Sequence, residues 1–272
     1  MNKYIRLFRL GNALMGVLGV LTGALIAVGL DIAEHWKFLA IASFVVVWFI
    51  AGGNALNDYI DRDIDVVSHP NRPIPSGRIA PKNALYASAF AFILAIASSF
   101  LFMELIPIAV VIIACALMLS YELFLKKRGF VGNVTIAVLT GMLFLLGGAA
   151  VLNIEAVMIA SVMAMLVSVG REIAKDIEDM GGDAGRRTLP MSVGVRNACI
   201  VAAIFLIAGP ILSVWPIIAN TFGPLYYLII AADAIFIYAS FIIFSDAHKA
   251  QKLCKYAMLI ALAAFILGAV YT

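Results

Sequence analysis

The sequence predicts an all-α polytopic membrane protein, and three observations support that fold class. Hydrophobic residues make up 64% of its 272 residues, whereas charged residues make up only 13%. The mean hydropathy is +1.05. Soluble domains average roughly 45–50% apolar and about 25% charged residues, so this composition excludes an ordinary soluble fold and a disordered chain. The apolar stretches also continue for about 20 residues without the alternation of barrel strands, which favours membrane-spanning helices.

Nine apolar stretches are candidates for transmembrane helices. They are Leu10–Leu30, Phe38–Ala55, Ala84–Met103, Ile106–Leu125, Val131–Val151, Ala156–Gly170, Ala198–Ala219, Leu225–Phe244 and Leu253–Val270. The first follows three basic residues, as the apolar part of a signal peptide does. Its run of about 21 residues is longer than that part, which is usually about 7–15 residues. We therefore expect nine transmembrane helices, with the two termini on opposite sides of the membrane.

The basic residues are divided unevenly between the two sides that nine helices create. Of the 19 Lys and Arg residues, 18 lie in the N-terminus or in the connections on its side, and only Lys37 lies on the other. The positive-inside rule therefore predicts a multi-pass protein of the cell membrane, with a cytoplasmic N-terminus and an external C-terminus. The long acidic loops that follow the second and sixth helices, and a cavity formed by them, are expected to face the cytoplasm. The net charge of +3 is too small to indicate a nucleic-acid partner.

An acidic motif occurs twice along the chain with a constant spacing of 118 residues. Its copies are Asp58, Asp61 and Asp65 after the second helix, and Asp176, Asp179 and Asp183 after the sixth. Arg72 and Arg187 each begin an Arg-x-x-Pro segment behind their copy. The recurrence predicts a single domain, 1–272, built from two parallel four-helix repeats at about 10–130 and 131–250, with a ninth helix appended.

Carboxylates at this spacing point to a metal site. Positions i, i+3 and i+7 share one narrow helix face, and Asn57 lies at its edge. Like charges about 5 Å apart repel by roughly 3 kcal/mol at an effective dielectric near 20, so converging carboxylates need cations. Oxygen ligands with few His or Cys nearby favour Mg²⁺, the usual partner of a substrate diphosphate. The predicted metal ligands are Asn57, Asp58, Asp61, Asp65, Asp176, Asp179 and Asp183.

Two segments of the chain resemble a known family. The first, Asn57-Asp58-x-x-Asp61-x-x-x-Asp65 followed by Arg72-Pro73-x-Pro75-Ser76-Gly77, resembles the UbiA superfamily of intramembrane prenyltransferases, and the resemblance covers nearly the whole chain. It implies that both acidic motifs are catalytic, binding Mg²⁺ and the diphosphate of a polyprenyl donor whose tail lies among the helices. The second, Arg171-Glu172-Ile173-x-Lys175-Asp176, is similar to the branch that makes archaeal ether lipids.

The branch resemblance implies a specific reaction. It is the Mg²⁺-dependent transfer of geranylgeranyl from geranylgeranyl diphosphate to the free hydroxyl of geranylgeranylglyceryl phosphate, which forms the second ether bond of archaeal membrane lipids. Both substrates carry phosphate and therefore need basic or polar partners in the bilayer-embedded enzyme; no obligate protein partner is expected. The candidates for phosphate or diphosphate binding are Asn54, Arg72, Arg78, Tyr121, Lys126, Lys175, Arg186 and Arg187, with Asn12 and Glu172 as further candidates for the cavity.

Two other functions fit part of the pattern. An aromatic acceptor of the 4-hydroxybenzoate or quinone-precursor type would use the same donor and the same acidic motifs. A cation transporter with repeats would place its ionisable groups near the membrane midplane, whereas the carboxylates here cluster at one surface. The acceptor lipid is the leading interpretation, and the aromatic acceptor is the nearer alternative.

Overall fold

The computed structural model describes residues 3–180 and 188–271, and the regular elements in those ranges are all helical. Short 3₁₀ segments extend or connect several of the α-helices. The α-helices are α1 Lys3–Phe8, α2 Leu10–Val28, α3 Trp36–Ile60, α4 Arg62–Ser68, α5 Pro81–Ser99, α6 Leu105–Leu123, α7 Phe130–Ala150, α8 Met158–Asp179, α9 Leu189–Val193, α10 Val195–Ile218, α11 Ile229–Ile242 and α12 Ala247–Val270.

Eight stretches among the described residues are long and apolar enough to cross a membrane. The first, Leu10–Ile60, has 51 residues and contains both α2 and α3, joined by the 3₁₀ segment Gly29–His35. At a rise of about 1.5 Å per residue, α2 and α3 are each about as long as the bilayer core of roughly 30 Å. The structure confirms an all-helical membrane fold, while the number of crossings stays a prediction.

Two of the spanning helices extend beyond their apolar stretches and carry the acidic motifs. Helix α3 continues past Ala55 to Ile60, and α8 continues past Gly170 to Asp179. Polar side chains of both extensions bind neighbouring helices, as Asn57 does through Glu122 and Asp176 through Asn133. The first residues of each motif are therefore held on rigid helices and not on loops.

The sequence predicted the first acidic motif on one uninterrupted helix, but the structure divides the motif between two helices. Helix α3 ends at Ile60, and Asp61 separates it from α4 with φ −84° and ψ 5°. Backbone hydrogen bonds continue across this break, from Asp61 N–H to the Asn57 carbonyl and from Asp65 N–H to the Asp61 carbonyl. Asp65 therefore lies on α4, whereas Asp58 lies on α3.

The interior contains two large groups of buried apolar residues. One is formed mainly by α3, α5, α6 and α7, and the other by α8, α10, α11 and α12. Helix α7 contributes to both groups and also crosses α2 closely. At that crossing a Cβ atom on Gly147 would overlap the backbone of Val20 and Ala24, and one on Gly23 would overlap the backbone of Phe144. Glycine at these positions permits the close approach that membrane helices use for packing.

Candidate active site

A polar pocket opens where the end of α6, the start of α7 and the end of α8 meet. Its volume is about 460 Å³, including space open to solvent. Six of the site residues predicted from the sequence lie in its wall. The lining residues are Tyr121, Lys126, Gly129, Gly132, Asn133, Ile136, Glu172, Lys175, Asp176, Asp179 and Thr188. The pocket therefore contains the described part of the second acidic motif together with Lys126, which follows α6, and Lys175 of α8.

The first acidic motif is buried and bound by arginines. Asp58 is 1% exposed and forms ion pairs with Arg9 and, at 3.6 Å, with Arg72. Arg72 also donates a hydrogen bond of 2.6 Å to Asp65. The guanidinium of Arg72, which the sequence predicted to bind a substrate phosphate, thus contacts two motif carboxylates in this structure. Such charge-assisted bonds fix the carboxylates in place.

Lys126 connects the first motif to the pocket. Its ammonium group donates to Asp61 at 2.7 Å and to Glu122 at 3.1 Å, while its side chain is only 6% exposed. Asn57 donates a hydrogen bond to the other carboxylate oxygen of Glu122, and its amide nitrogen lies 3.1 Å from that oxygen. Because Lys126 also lines the pocket, Asp61 lies at the edge of the same polar region as Asp176 and Asp179. The structure therefore brings the two motifs together around one lysine.

Glu172 and the described part of the second motif lie along one face of α8. Glu172, Asp176 and Asp179 are spaced i, i+4 and i+7, so their side chains point to the same side of the helix. Asn133 of α7 donates a hydrogen bond of 2.8 Å to Asp176. Arg171 donates one of 2.6 Å to Glu172. These contacts orient two of the three carboxylates toward the pocket.

Several predicted site residues lie elsewhere. Asn54 donates to the Phe8 carbonyl at 3.0 Å, a contact that ties the segment before Arg9 to α3. Asn12 and Arg78 are exposed and do not line the pocket. Asp183, Arg186 and Arg187 lie outside the described residues.

Sequence reasoning considered Arg9 only as a weaker candidate for phosphate binding and did not assign Asn133 to the site. Arg9 has a left-handed backbone, φ 48° and ψ 63°, between α1 and α2, and from there its side chain reaches Asp58. Asn133 is 6% exposed and lies in the first turn of α7. The only signal in the sequence was an amide at the start of an otherwise apolar helix, since polar groups in such helices are commonly functional. Which carboxylate Asn133 contacts depends on helix packing and not on local sequence.

The oxygen donors of this region suit a hard divalent cation. Among residues 3–180 and 188–271, no group of three or more His, Cys, Asp or Glu side chains has a geometry that would hold a metal ion. Five buried side-chain oxygens in those ranges nevertheless have no hydrogen-bond partner, and two of them, Asp58 Oδ2 and Asn133 Oδ1, belong to this region. An unsatisfied buried acceptor costs roughly 1–3 kcal/mol, so both oxygens favour a cation or a donor as neighbour. Carboxylate and amide oxygens are the ligands that Mg²⁺ prefers.

The sequence was compared with protein families and with curated proteins. The profile of the UbiA prenyltransferase family matches residues 16–267. The chain belongs to this family. A digeranylgeranylglyceryl phosphate synthase from Methanosphaera stadtmanae is 38% identical over 278 residues, covering 99% of this chain and all of the relative. One from Methanococcoides burtonii is 39% identical, with 99% of this chain and 100% of the relative covered. As a family member the protein is a prenyltransferase.

Solved structures agree with the fold. A structure described as a digeranylgeranylglyceryl phosphate synthase in membranes has a TM-score of 0.83 and 35% identity, covering 98% of each chain. A UbiA homologue from Archaeoglobus fulgidus bound to GPP and Mg²⁺ has a TM-score of 0.70 over 99% of each chain. Its identity is 14%, so it supports the fold of the family alone.

Proposed function

We propose that this prenyltransferase transfers geranylgeranyl from geranylgeranyl diphosphate to the free hydroxyl of geranylgeranylglyceryl phosphate, in a reaction that depends on Mg²⁺. The product is the diether precursor of archaeal membrane lipids, and diphosphate leaves. The observation that carries this proposal is the full-length similarity, at 38–39% identity, to two relatives named digeranylgeranylglyceryl phosphate synthase. The polar pocket, lined by acidic and basic side chains, supports it from the structure.

In this proposal the acidic residues of the two motifs hold Mg²⁺ and, through it, the diphosphate. The metal ligands are Asn57, Asp58, Asp61, Asp65, Asp176, Asp179 and Asp183. When bound, Mg²⁺ supplies positive charge that stabilises the departing diphosphate. The pairing of motif carboxylates with Arg and Lys supports this, because it shows that the region favours positive charge beside them.

Basic residues bind the phosphate groups directly. Lys126 and Lys175 line the pocket from two sides, and Arg72 holds the first motif at its edge. Arg186 and Arg187 follow the second motif and are proposed to serve in the same way. Guanidinium groups bind phosphate oxygens with two parallel hydrogen bonds, which suits a site that receives two phosphorylated substrates. The apolar helices behind the pocket then accommodate the isoprenoid chains and exclude water from the reacting carbon.

The proposed topology has nine crossings. They are made by α2, α3, α5, α6, α7, α8, α10, α11 and α12, with the N-terminus and pocket in the cytoplasm and the C-terminus outside. The distribution of 18 of 19 basic residues on one side supports this orientation. Two parallel repeats within one domain are supported by matching neighbours: α3 packs against α5 as α8 packs against α10, and a short helix, α4 or α9, lies between the two long helices of each pair.

An acceptor competition assay tests the proposal. The purified full-length chain is incubated in lipid nanodiscs with geranylgeranyl diphosphate, Mg²⁺ and equal amounts of geranylgeranylglyceryl phosphate and 4-hydroxybenzoate, and the products are identified by mass spectrometry. We expect the diether phosphate as the main product. Prenylated 4-hydroxybenzoate as the main product would establish the aromatic acceptor instead, and no transfer to either acceptor would contradict the proposal.

A further inference from the structure

Glu172 occupies a position in the pocket that differs from that of the motif carboxylates. It lies one turn before Asp176 on α8, about 6 Å farther from the charged end of that helix. On the opposite wall, Ile136 lies one turn deeper than Asn133. The lining therefore changes from charged to apolar at the level of Glu172, which is the innermost carboxylate of the wall.

The carboxylate of Glu172 is fixed on one side and available on the other. Its Oε1 accepts the hydrogen bond of 2.6 Å from Arg171, and its side chain is 15% exposed. In the part of the chain that the structure describes, Oε2 accepts no hydrogen bond. The other ionisable groups that line the same pocket are Tyr121, Lys126, Lys175, Asp176 and Asp179. Glu172 thus lines the pocket with one carboxylate oxygen held by Arg171 and the other free to accept a hydrogen bond.

The position of the donor follows from its chemistry. Its diphosphate is attracted to Lys126 and Lys175 at the charged level of the pocket, while its apolar tail extends toward the level of Ile136. The carbon that bears the diphosphate lies between these two levels, which is the level of Glu172. An alkyl hydroxyl that attacks this carbon must lose its proton, whereas an aromatic carbon nucleophile has no such proton to lose on attack.

We infer that Glu172 is the general base that accepts the proton of the acceptor hydroxyl, an inference that rests on the proposed function. The hydroxyl oxygen forms a bond to C1 of the geranylgeranyl group, and the bond from C1 to the diphosphate oxygen breaks. The electron pair of that bond leaves with the diphosphate, and the hydroxyl proton passes to Glu172. Arg171 is a positioning residue that holds the carboxylate toward the acceptor. A positioned general base contributes about 10²–10⁴-fold to rate.

The test separates proton removal from cleavage of the donor. Wild type, Glu172→Gln, Glu172→Asp and the control Glu178→Gln are purified in nanodiscs. Glu178 is a matched control because it lies on the same helix, is exposed, contacts His248 and does not line the pocket. Transfer is measured with each substrate varied. Cleavage of the donor is measured separately, in the presence of an acceptor analogue that lacks the reacting hydroxyl. The donor carries ¹⁸O at the oxygen that joins C1 to the diphosphate, and cleavage is detected as exchange of this label into the non-bridging phosphate oxygens.

We expect Glu172→Gln to lower kcat by 10²–10⁴-fold, with the donor KM and the isotope exchange within about threefold of wild type. Glu172→Asp should restore part of the lost rate, and Glu178→Gln should match wild type. Transfer by Glu172→Gln within tenfold of wild type would overturn the inference. Loss of isotope exchange together with transfer would also overturn it, since Glu172 would then hold the donor. Failure of wild type to use the lipid acceptor would instead contradict the proposed function.

Discussion

Lys126 is the side chain that joins the two acidic motifs. It is nearly buried, binds Asp61 and Glu122, and lines the pocket that Asp176 and Asp179 also line. Removing one partner of a buried ion pair leaves an uncompensated charge, which typically costs about 3–5 kcal/mol. The positive charge of Lys126 therefore stabilises its carboxylate partners, and in the proposed function it also binds the incoming diphosphate.

Replacing this lysine should weaken donor binding. We expect Lys126→Met to raise the KM for geranylgeranyl diphosphate about 10- to 100-fold, since a hydrogen bond to a charged group contributes roughly 1.5–3 kcal/mol. Lys127→Met is the matched control, because Lys127 is the neighbouring residue, is exposed and does not line the pocket. Steady-state kinetics with the donor varied measure both. Equal KM values for the two variants would contradict a role for Lys126 at the diphosphate.

Arg72 holds Asp58 and Asp65 with one guanidinium group. Lysine keeps the charge but cannot reproduce the planar fork, so Arg72→Lys should raise the KM of a phosphorylated substrate about tenfold or more. Arg62→Lys is the control, since Arg62 pairs with exposed Asp63 outside the pocket. Kinetics with donor and acceptor varied separately show which substrate is affected. Unchanged KM values in Arg72→Lys would limit this arginine to a structural role.

The close crossing of α2 and α7 depends on glycine. A methyl group on Gly147 would overlap backbone atoms of Val20 and Ala24, which cannot move aside as a side chain can. Overpacking of this kind typically costs about 1–3 kcal/mol, so Gly147→Ala should lower the thermal unfolding midpoint of the purified protein. Gly11→Ala, where a Cβ meets nothing within 4 Å, is the control and should not lower it. Equal midpoints would show that the helices separate without cost.

The elements were predictable from the sequence to different degrees. Long apolar runs gave the spanning helices, because a helix satisfies its own backbone in lipid. The helix face assumed for the second motif anticipated the extension of α8 to Asp179, whereas the break at Asp61 was not predictable, since it depends on polar contacts made after the helices pack. The same reason explains Arg9 and Asn133: each reaches its aspartate across a large separation in sequence. Motif spacing predicted which carboxylates belong together, but it did not predict which basic or amide side chain binds each of them.

The orientation of the whole molecule can be tested with single cysteines. Asp63→Cys lies on the motif side of α3, and Glu104→Cys lies in the short link between α5 and α6. The native cysteines Cys115, Cys199 and Cys254 are buried and should give little background. In intact cells, an impermeant maleimide should label only Glu104→Cys, and Asp63→Cys should be labelled after permeabilisation. The opposite pattern would contradict the proposed topology.

In the proposed function, the two acidic motifs act together to hold a prenyl diphosphate through Mg²⁺. Calorimetric binding of the unreactive geranylgeranyl thiolodiphosphate to the full-length protein tests it most directly. We expect wild type to bind this analogue with Mg²⁺ and to lose affinity by tenfold or more in excess chelator. With Mg²⁺ present, Asp61→Asn and Asp179→Asn, one variant from each motif, should each lose affinity to the same degree. Binding that is unchanged by the chelator, or by either substitution, would contradict this joint role of the two motifs.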